Sequence, residues 1–174
     1  MSSELWYVVL VAAVVVERIA ELVVSQRNVT WALSQRGAET GRGHYPLMVA
    51  LHTGLLAACL VEVFATDRPF LPVLGVTMLA LVLGAQALRW WCIRVLGRRW
   101  NTRVVVIPGR SLVATGPYRW LRHPNYLAVA IEGIALPLVH TAWVTALTFT
   151  VLNAVLLLGF RIPTEERALE SAAA

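Results

Sequence analysis

The chain has 174 residues, of which 58% are hydrophobic and only 14% charged, with a mean hydropathy of +0.67. An average soluble domain carries roughly 25% charged residues, so the composition excludes an ordinary water-soluble globule and indicates an integral membrane protein. All fifteen basic residues are arginine and the net charge is +5; these arginines gather in loops between apolar runs, so membrane topology and anionic lipid account for them rather than nucleic acid.

The apolar runs are about 20 residues long, the length needed to cross a hydrocarbon core about 30 Å thick. They predict a single all-α domain over residues 1–174, a polytopic helical bundle of about five spans, with no internal repeat. The first run, 5–25, follows no basic n-region and shows no small-residue cleavage site, so it reads as a retained helix rather than a signal peptide. Glu17, Arg18 and Glu21 lie within it, Glu17 and Glu21 on one face at i, i+4. Ionisable groups at membrane depth mark either a site or an ion-pair network that pins helix packing. The loop 26–44 carries Arg27, Arg36 and Arg42, and a glycosylation sequon at Asn28-Val29-Thr30 that matches by pattern only.

The second run, 45–65, holds His52 and Cys59; the third, 70–95, holds Gln86, Arg89, Trp90, Trp91 and Cys92. The cysteines lack metal or redox spacing and read as packed small hydrophobes. Trp90 and Trp91 read as interfacial anchors or as the lining of an acyl pocket, and His44 and His140, near span ends, as interfacial. The segment 94–125 has seven arginines and no acidic residue. The fourth run, 126–139, is too short to cross alone at 1.5 Å per residue. With the fifth, 143–161, it forms a helical hairpin broken at Pro137 to Trp143. Pro46, Pro69, Pro72, Pro124, Pro137 and Pro163 fall at or near run ends. Because Arg68 stands alone on the opposite side, the arginine-rich loops and the tail should face the cytosol, with the N-terminus outside and the C-terminus inside.

Two polar stretches carry the chemistry. In the first, Gly116-Pro117 forms a turn, and Pro124 biases His123 toward extended backbone while opening the next helix. The helix start at Asn125 and Tyr126 offers unpaired N–H groups and a positive dipole end to a carboxylate or phosphate, with Tyr118, Arg119, Arg122 and His123 around it. The plain alternative has the arginines on lipid head groups and the histidine capping the helix. In the second, Arg161-Ile162-Pro163-Thr164-Glu165-Glu166-Arg167 follows an apolar helix. Thr164 could cap a short helix with the acidic pair in its first turn. Otherwise the pair holds a cationic or hydroxyl-rich ligand while Arg161 grips an anion bidentately. Glu132, about two turns after Tyr126, projects into a cavity beneath that point or pairs structurally. No dinucleotide fingerprint, P-loop, nucleophile elbow or His/Cys metal spacing is present in the sequence.

Gly116-Pro117-Tyr118-Arg119, Arg122-His123-Pro124-Asn125-Tyr126, and Arg161 with Glu165-Glu166 resemble the isoprenylcysteine carboxyl methyltransferase family over roughly residues 75–170. The catalytic region would span about 94–170. Glu17-Arg18, Glu21, Asn28, Trp31, Gly37-Ala38, His44-Tyr45 and His52 resemble a bacterial branch associated with type III polyketide synthases, the alkylpyrone O-methyltransferases. The resemblance implies S-adenosylmethionine as cofactor in a cytosolic pocket, bound by Tyr118, Arg122, His123, Pro124, Asn125 and Tyr126 and completed by Glu165 and Glu166. Arg161 would position the acceptor, with Glu165 or Glu132 as base where one is needed. The implied acceptor is a lipophilic oxygen compound, namely an alkylpyrone, an alkylresorcinol, or a prenyl or lipid carboxylate, approached beside membrane lipid. Phospholipid N-methylation and a non-enzymatic scaffold or transporter are the alternatives, a nicotinamide-dependent relative an outside one.

Overall fold

The computed structural model describes residues 2–173. Six α-helices dominate it: α1 (Ser3–Ser34), α2 (Tyr45–Ala65), α3 (Pro72–Leu96), α4 (Pro124–Leu138), α5 (Trp143–Leu156) and α6 (Ile162–Ala173). Three helical stretches are long and apolar enough to cross a membrane, Arg42–Ala65, Pro72–Arg99 and Trp143–Ala172. α4 is apolar but short, as its sequence predicts.

α1 runs 32 residues, about 48 Å at 1.5 Å per residue, well beyond the expected span 5–25, and with Glu17, Arg18 and Glu21 in its apolar part it is not among those three stretches. The remainder projects past the bundle at the end where the arginine-rich loops lie, here called the inner end. There the structure departs from all-α: β1 (Ala38–Thr40) pairs antiparallel with β2 (Val104–Val106), Glu39 opposite Val105. A run of three β-branched residues favours such pairing, and the strands tie the α1–α2 loop to the loop after α3.

The C-terminal hairpin forms as expected, but its second arm does not stop at Arg161. α5 passes through a π-turn at Leu157–Arg161 directly into α6. Pro163 has no N–H and its ring presses on the carbonyl four residues back, and a widened turn absorbs both effects. Thr164 therefore lies inside a continuing helix and caps nothing.

The core is built by Tyr7 and Val11 of α1, Cys59 and Val63 of α2, Val82 of α3, Leu136 of α4 and Phe149 of α5. Gly133 makes this closeness possible, because a Cβ there would collide with the Phe149 ring. Cys59 and Cys92 are buried free thiols, packed as small hydrophobes. His140, expected at an interface, is instead fully buried between Tyr7 and Phe70, with ring centroids 5.3 and 5.7 Å away.

The outer end is closed by polar bonds. Glu62 of α2 accepts from Val144 N at 3.1 Å and Thr145 N at 2.7 Å and pairs with Arg68 at 2.7 Å. It thereby satisfies orphan donors at the start of α5. Thr141 Oγ1 donates to Pro69 O at 2.6 Å, and Tyr7 Oη to Leu136 O at 3.1 Å.

Candidate functional site

The loop from β2 to α4 is held against α3. Gly116 has φ +58°, and a Cβ there would press on Val95 and Trp91, so this turn needs glycine. Trp120 meets Trp91 edge-on at 6.1 Å, and Trp90 and Trp91 stay partly exposed on the outer surface of the bundle, away from the cavity described below. Burial pushes the Tyr118 phenol up, so it is neutral at ordinary pH.

Pro124 occupies the first turn of α4, as the sequence indicates, but His123 makes no side-chain cap. Its ring stacks on Tyr126 at 5.4 Å and reaches across to α6, Nε2 lying 3.3 Å from Glu166 Oε1 and Nδ1 3.8 Å from Glu165 Oε1. Tyr126 Oη donates to Glu165 Oε2. The two polar stretches, about forty residues apart in sequence, are thus one cluster. Arg122, largely exposed, lies 3.8 Å from Glu166, a contact of little energetic weight.

Arg161 leaves the π-turn at only 4% exposure. Its Nη2 donates to Thr102 O at 2.7 Å, while Nε has no partner. The loop carrying Thr102 is pinned by the projecting part of α1: Ser25 Oγ accepts from Thr102 N at 2.8 Å, and Asn28 Nδ2 donates to Trp100 O at 2.6 Å. The position of Arg161 therefore depends on the N-terminal half of the chain.

A second cluster lies deeper. Arg18 donates to Glu21 at 2.7 Å and to Gln86 at 2.9 Å, Gln86 donates to Glu17, and Trp90 Nε1 donates to Glu17 at 2.6 Å. Arg89 pairs with Glu132 and lies 3.7 Å from Glu21. Opposite charges satisfy one another here, the ion-pair network that the sequence admits. Glu21 Oε1 and the Nε atoms of Arg18 and Arg89 nevertheless have no partner.

One cavity of about 240 Å³ joins both clusters. Tyr118, Arg122, His123, Asn125, Tyr126, Arg161 and Glu165 line it at one end; Arg18, Glu21, His52 and Arg89 line it at the other. Pro124, Glu132 and Glu166 do not line it: Pro124 is buried, Glu166 stands one step outward, and Glu132 is held by Arg89. Sequence reading missed Trp100, Asn101, Thr102 and the α2 wall of Met48, Val49 and Leu56. The α2 residues carried no polar signal, and the others act partly through backbone groups.

Orphaned polar atoms test whether this chain fits S-adenosylmethionine. Asn125 Oδ1, Asn101 Oδ1, Trp100 Nε1 and Arg161 Nε are all buried, unpartnered and on lining residues. Leaving such atoms unpaired costs about 1–3 kcal/mol each, so a ligand rich in donors and acceptors suits the place. His123, Arg122 and the α4 N-terminus suit a carboxylate; Glu165 suits an ammonium or ribose hydroxyls. The residues fit.

Comparison with known proteins agrees. "Uncharacterized protein YpbQ" of Bacillus subtilis is 38% identical over 162 residues, covering 92% of this chain and 95% of the relative. An "Uncharacterized protein" of Haemophilus influenzae is 25% identical over 159 residues, covering 91% of each. No solved structure matches the chain. The sequence model of the isoprenylcysteine carboxyl methyltransferase family matches residues 78–171, the stretch from α3 through α6 that carries the His123–Glu165–Arg161 cluster. The chain therefore belongs to the isoprenylcysteine carboxyl methyltransferase family, a family of S-adenosylmethionine-dependent membrane methyltransferases.

Proposed function

We propose that this enzyme transfers a methyl group to an oxygen of a lipophilic small molecule at the inner face of the cytoplasmic membrane. The observation that carries the reading is the single cavity with two unlike ends: a ring of polar groups between β2, α4 and α6, and an apolar α2 wall running to buried arginines. S-adenosylmethionine, when bound, supplies an electrophilic methyl on a sulfonium. The chain's own part is to bind, align and exclude water, because holding two reactants in attack geometry accounts for a large share of such a barrier.

In this reading His123, Asn125 and Tyr126 orient the cofactor, with Tyr118 walling it against α3. Glu165, fixed by the Tyr126 hydroxyl, takes its polar groups, and Glu166 steadies His123 from outside. Arg161, with Nε free, steers the acceptor oxygen. Glu132 acts through Arg89, as its positioning partner. The acceptors that suit the site are an alkylpyrone, an alkylresorcinol, or a prenyl or lipid carboxylate. The six arginines lining the cavity favour an oxygen anion over a phospholipid amine.

The chain would cross the membrane five times, N-terminus outside, with α4 completing its crossing through the buried Val139–Ala142 turn. Twelve of the fifteen arginines then lie at the cytosolic end, Arg18 and Arg89 within the bundle and Arg68 alone outside, as the positive-inside rule requires.

The test is transfer of labelled methyl from S-adenosylmethionine into the host's total lipid extract by the purified protein. A labelled ether or ester of a neutral or acidic lipid is expected. Base-labile label means a carboxyl ester and base-stable label an enol or phenol ether; label confined to phospholipid head groups would overturn the O-methyl reading.

A further inference from the structure

The candidate bases that sequence reading supplied are already engaged. Glu132 is held by Arg89 off the cavity wall, and Glu165 takes the Tyr126 hydroxyl. Glu21 Oε2 is held by Arg18 at 2.7 Å and Arg89 at 3.7 Å, which ties this carboxylate into the buried ion-pair network. His52, on the α2 wall, differs. Its Nδ1 lies 2.8 Å from Met48 O; a carbonyl can only accept, so Nδ1 carries the proton. The neutral ring then keeps its lone pair on Nε2. The ring is fixed from its other side by Phe149, edge-on at 5.4 Å. The charged groups that share its cavity include Arg18 and Glu21 from α1 and Arg89 from α3, with Glu132 of α4 behind, and at the far end Arg161 from the π-turn and Glu165 from α6. All three of these arginines present an unpartnered Nε–H.

We propose that His52 is the proton acceptor of the transfer, and that the acceptor is consequently a weakly acidic hydroxyl rather than a carboxylate. A carboxylate is already an anion at neutral pH, whereas a phenol, with a pKa near 10, gives up its proton only to a positioned base. The acceptor's O–H bond breaks and its proton passes to His52 Nε2. The freed oxygen pair forms the O–CH3 bond as the S–CH3 bond breaks, and that bond's electrons stay on sulfur as the thioether of S-adenosylhomocysteine. Arg161 holds the developing oxyanion, as in the reading above, and the imidazolium then returns its proton to water. His52 lies outside residues 78–171, so the N-terminal half decides which hydroxyl is methylated.

This inference rests on the O-methyltransferase reading, and the experiment separates the two. Purified wild type, His52→Ala and His52→Gln are given an alkylresorcinol, an alkyl-4-hydroxypyrone and a fatty acid of equal chain length, a series of rising acidity, with cofactor affinity measured by calorimetry as the check on folding. The expected result is a loss of about 100-fold on the resorcinol in both variants, shrinking as acidity rises, and recovery of His52→Ala by added imidazole. Binding without turnover is the second readout. Wild type should hold the resorcinol about tenfold tighter than its methyl ether, the worth of one hydrogen bond, and His52→Ala should show no preference. Equal losses across the series, or full activity of His52→Gln, would overturn the assignment of the base while leaving methyl transfer intact. Wild type that labels only the fatty acid overturns the hydroxyl class, and wild type that labels none of the three overturns both readings.

Discussion

The two ends of the bundle use the same residue types to opposite effect. At the outer end Glu62 is consumed by two backbone N–H groups and Arg68, and Thr141 and Tyr7 spend their hydroxyls on carbonyls. At the inner end Glu21, Arg89, Asn125 and Arg161 each keep a buried atom without a partner, and all four line the cavity. A closed polar bond stabilises architecture; an open one in a low-dielectric pocket waits for a ligand. His140 limits the rule, as do Arg68 Nε and Asn153 Oδ1: both ring nitrogens of His140 are buried and unpartnered at the outer end, but no described cavity reaches any of the three residues. An orphaned atom marks a site only where there is room for a partner.

The largest effect expected from breaking this contrast comes from Arg161. Arg161→Ala should reduce turnover about 10²–10³-fold, the usual cost of removing a donor aimed at a reacting oxygen. Arg161→Lys should lose more in kcat than in cofactor affinity, because a point charge cannot hold the Thr102 carbonyl and an acceptor oxygen together. Steady-state kinetics beside calorimetric cofactor binding checks this; equal losses in both would put Arg161 in the cofactor pocket instead. Glu62→Ala is the counterpart at the closed end. It leaves Arg68 and two N–H groups of α5 unsatisfied, so it should cost about 3 kcal/mol of stability and leave cofactor affinity unchanged. A detergent-phase denaturation curve reads the first and calorimetry the second; intact stability would mean that water replaces those bonds.

How much of this was legible in the sequence follows the same divide. Membrane class, the α4–α5 hairpin and the pairing of the His123 and Glu165 stretches could be read, because apolar length and compact charged motifs are local signals. The register of β1 on β2 could not, since three-residue strands are set by partners remote in sequence. The extent of α1 was missed because its last turns are polar and held by tertiary bonds from Ser25 and Asn28. The continuity of α5 into α6 was hidden by Pro163, which usually ends a helix and here is absorbed by a π-turn. For the site, Tyr118, His123 and Arg161 were visible as side chains, but the contribution of Thr102 is a backbone carbonyl, and a carbonyl leaves no mark in sequence.

Within the inner end, the contrast sharpens between residues that touch the cavity and those behind them. His123→Ala and Glu165→Gln should each weaken cofactor binding about tenfold, one charge-assisted hydrogen bond or less. Glu166→Gln should weaken it less, because Glu166 reaches the cavity only through His123 at 3.3 Å. Calorimetry on the three variants gives the ranking; an effect of Glu166→Gln as large as that of Glu165→Gln would move Glu166 into direct contact.

The smallest effect concerns Tyr118 and pH. Burial raises its phenol above the usual value of about 10, so the folded protein holds that proton more tightly than the unfolded chain does. Linkage then fixes the sign: the contribution is fully present below about pH 10 and is lost as pH climbs from there toward the folded-state value. Tyr118→Phe removes the ionisable group without removing the ring that packs against α3. The variant should match the wild type in stability through neutral pH and fall less steeply above about pH 10. Other groups titrate in that range in both proteins, so the difference between the two curves, not either curve alone, isolates Tyr118. Superimposable curves up to strongly alkaline pH would mean that its hydroxyl is solvated, and that the wall between cofactor and α3 is wet.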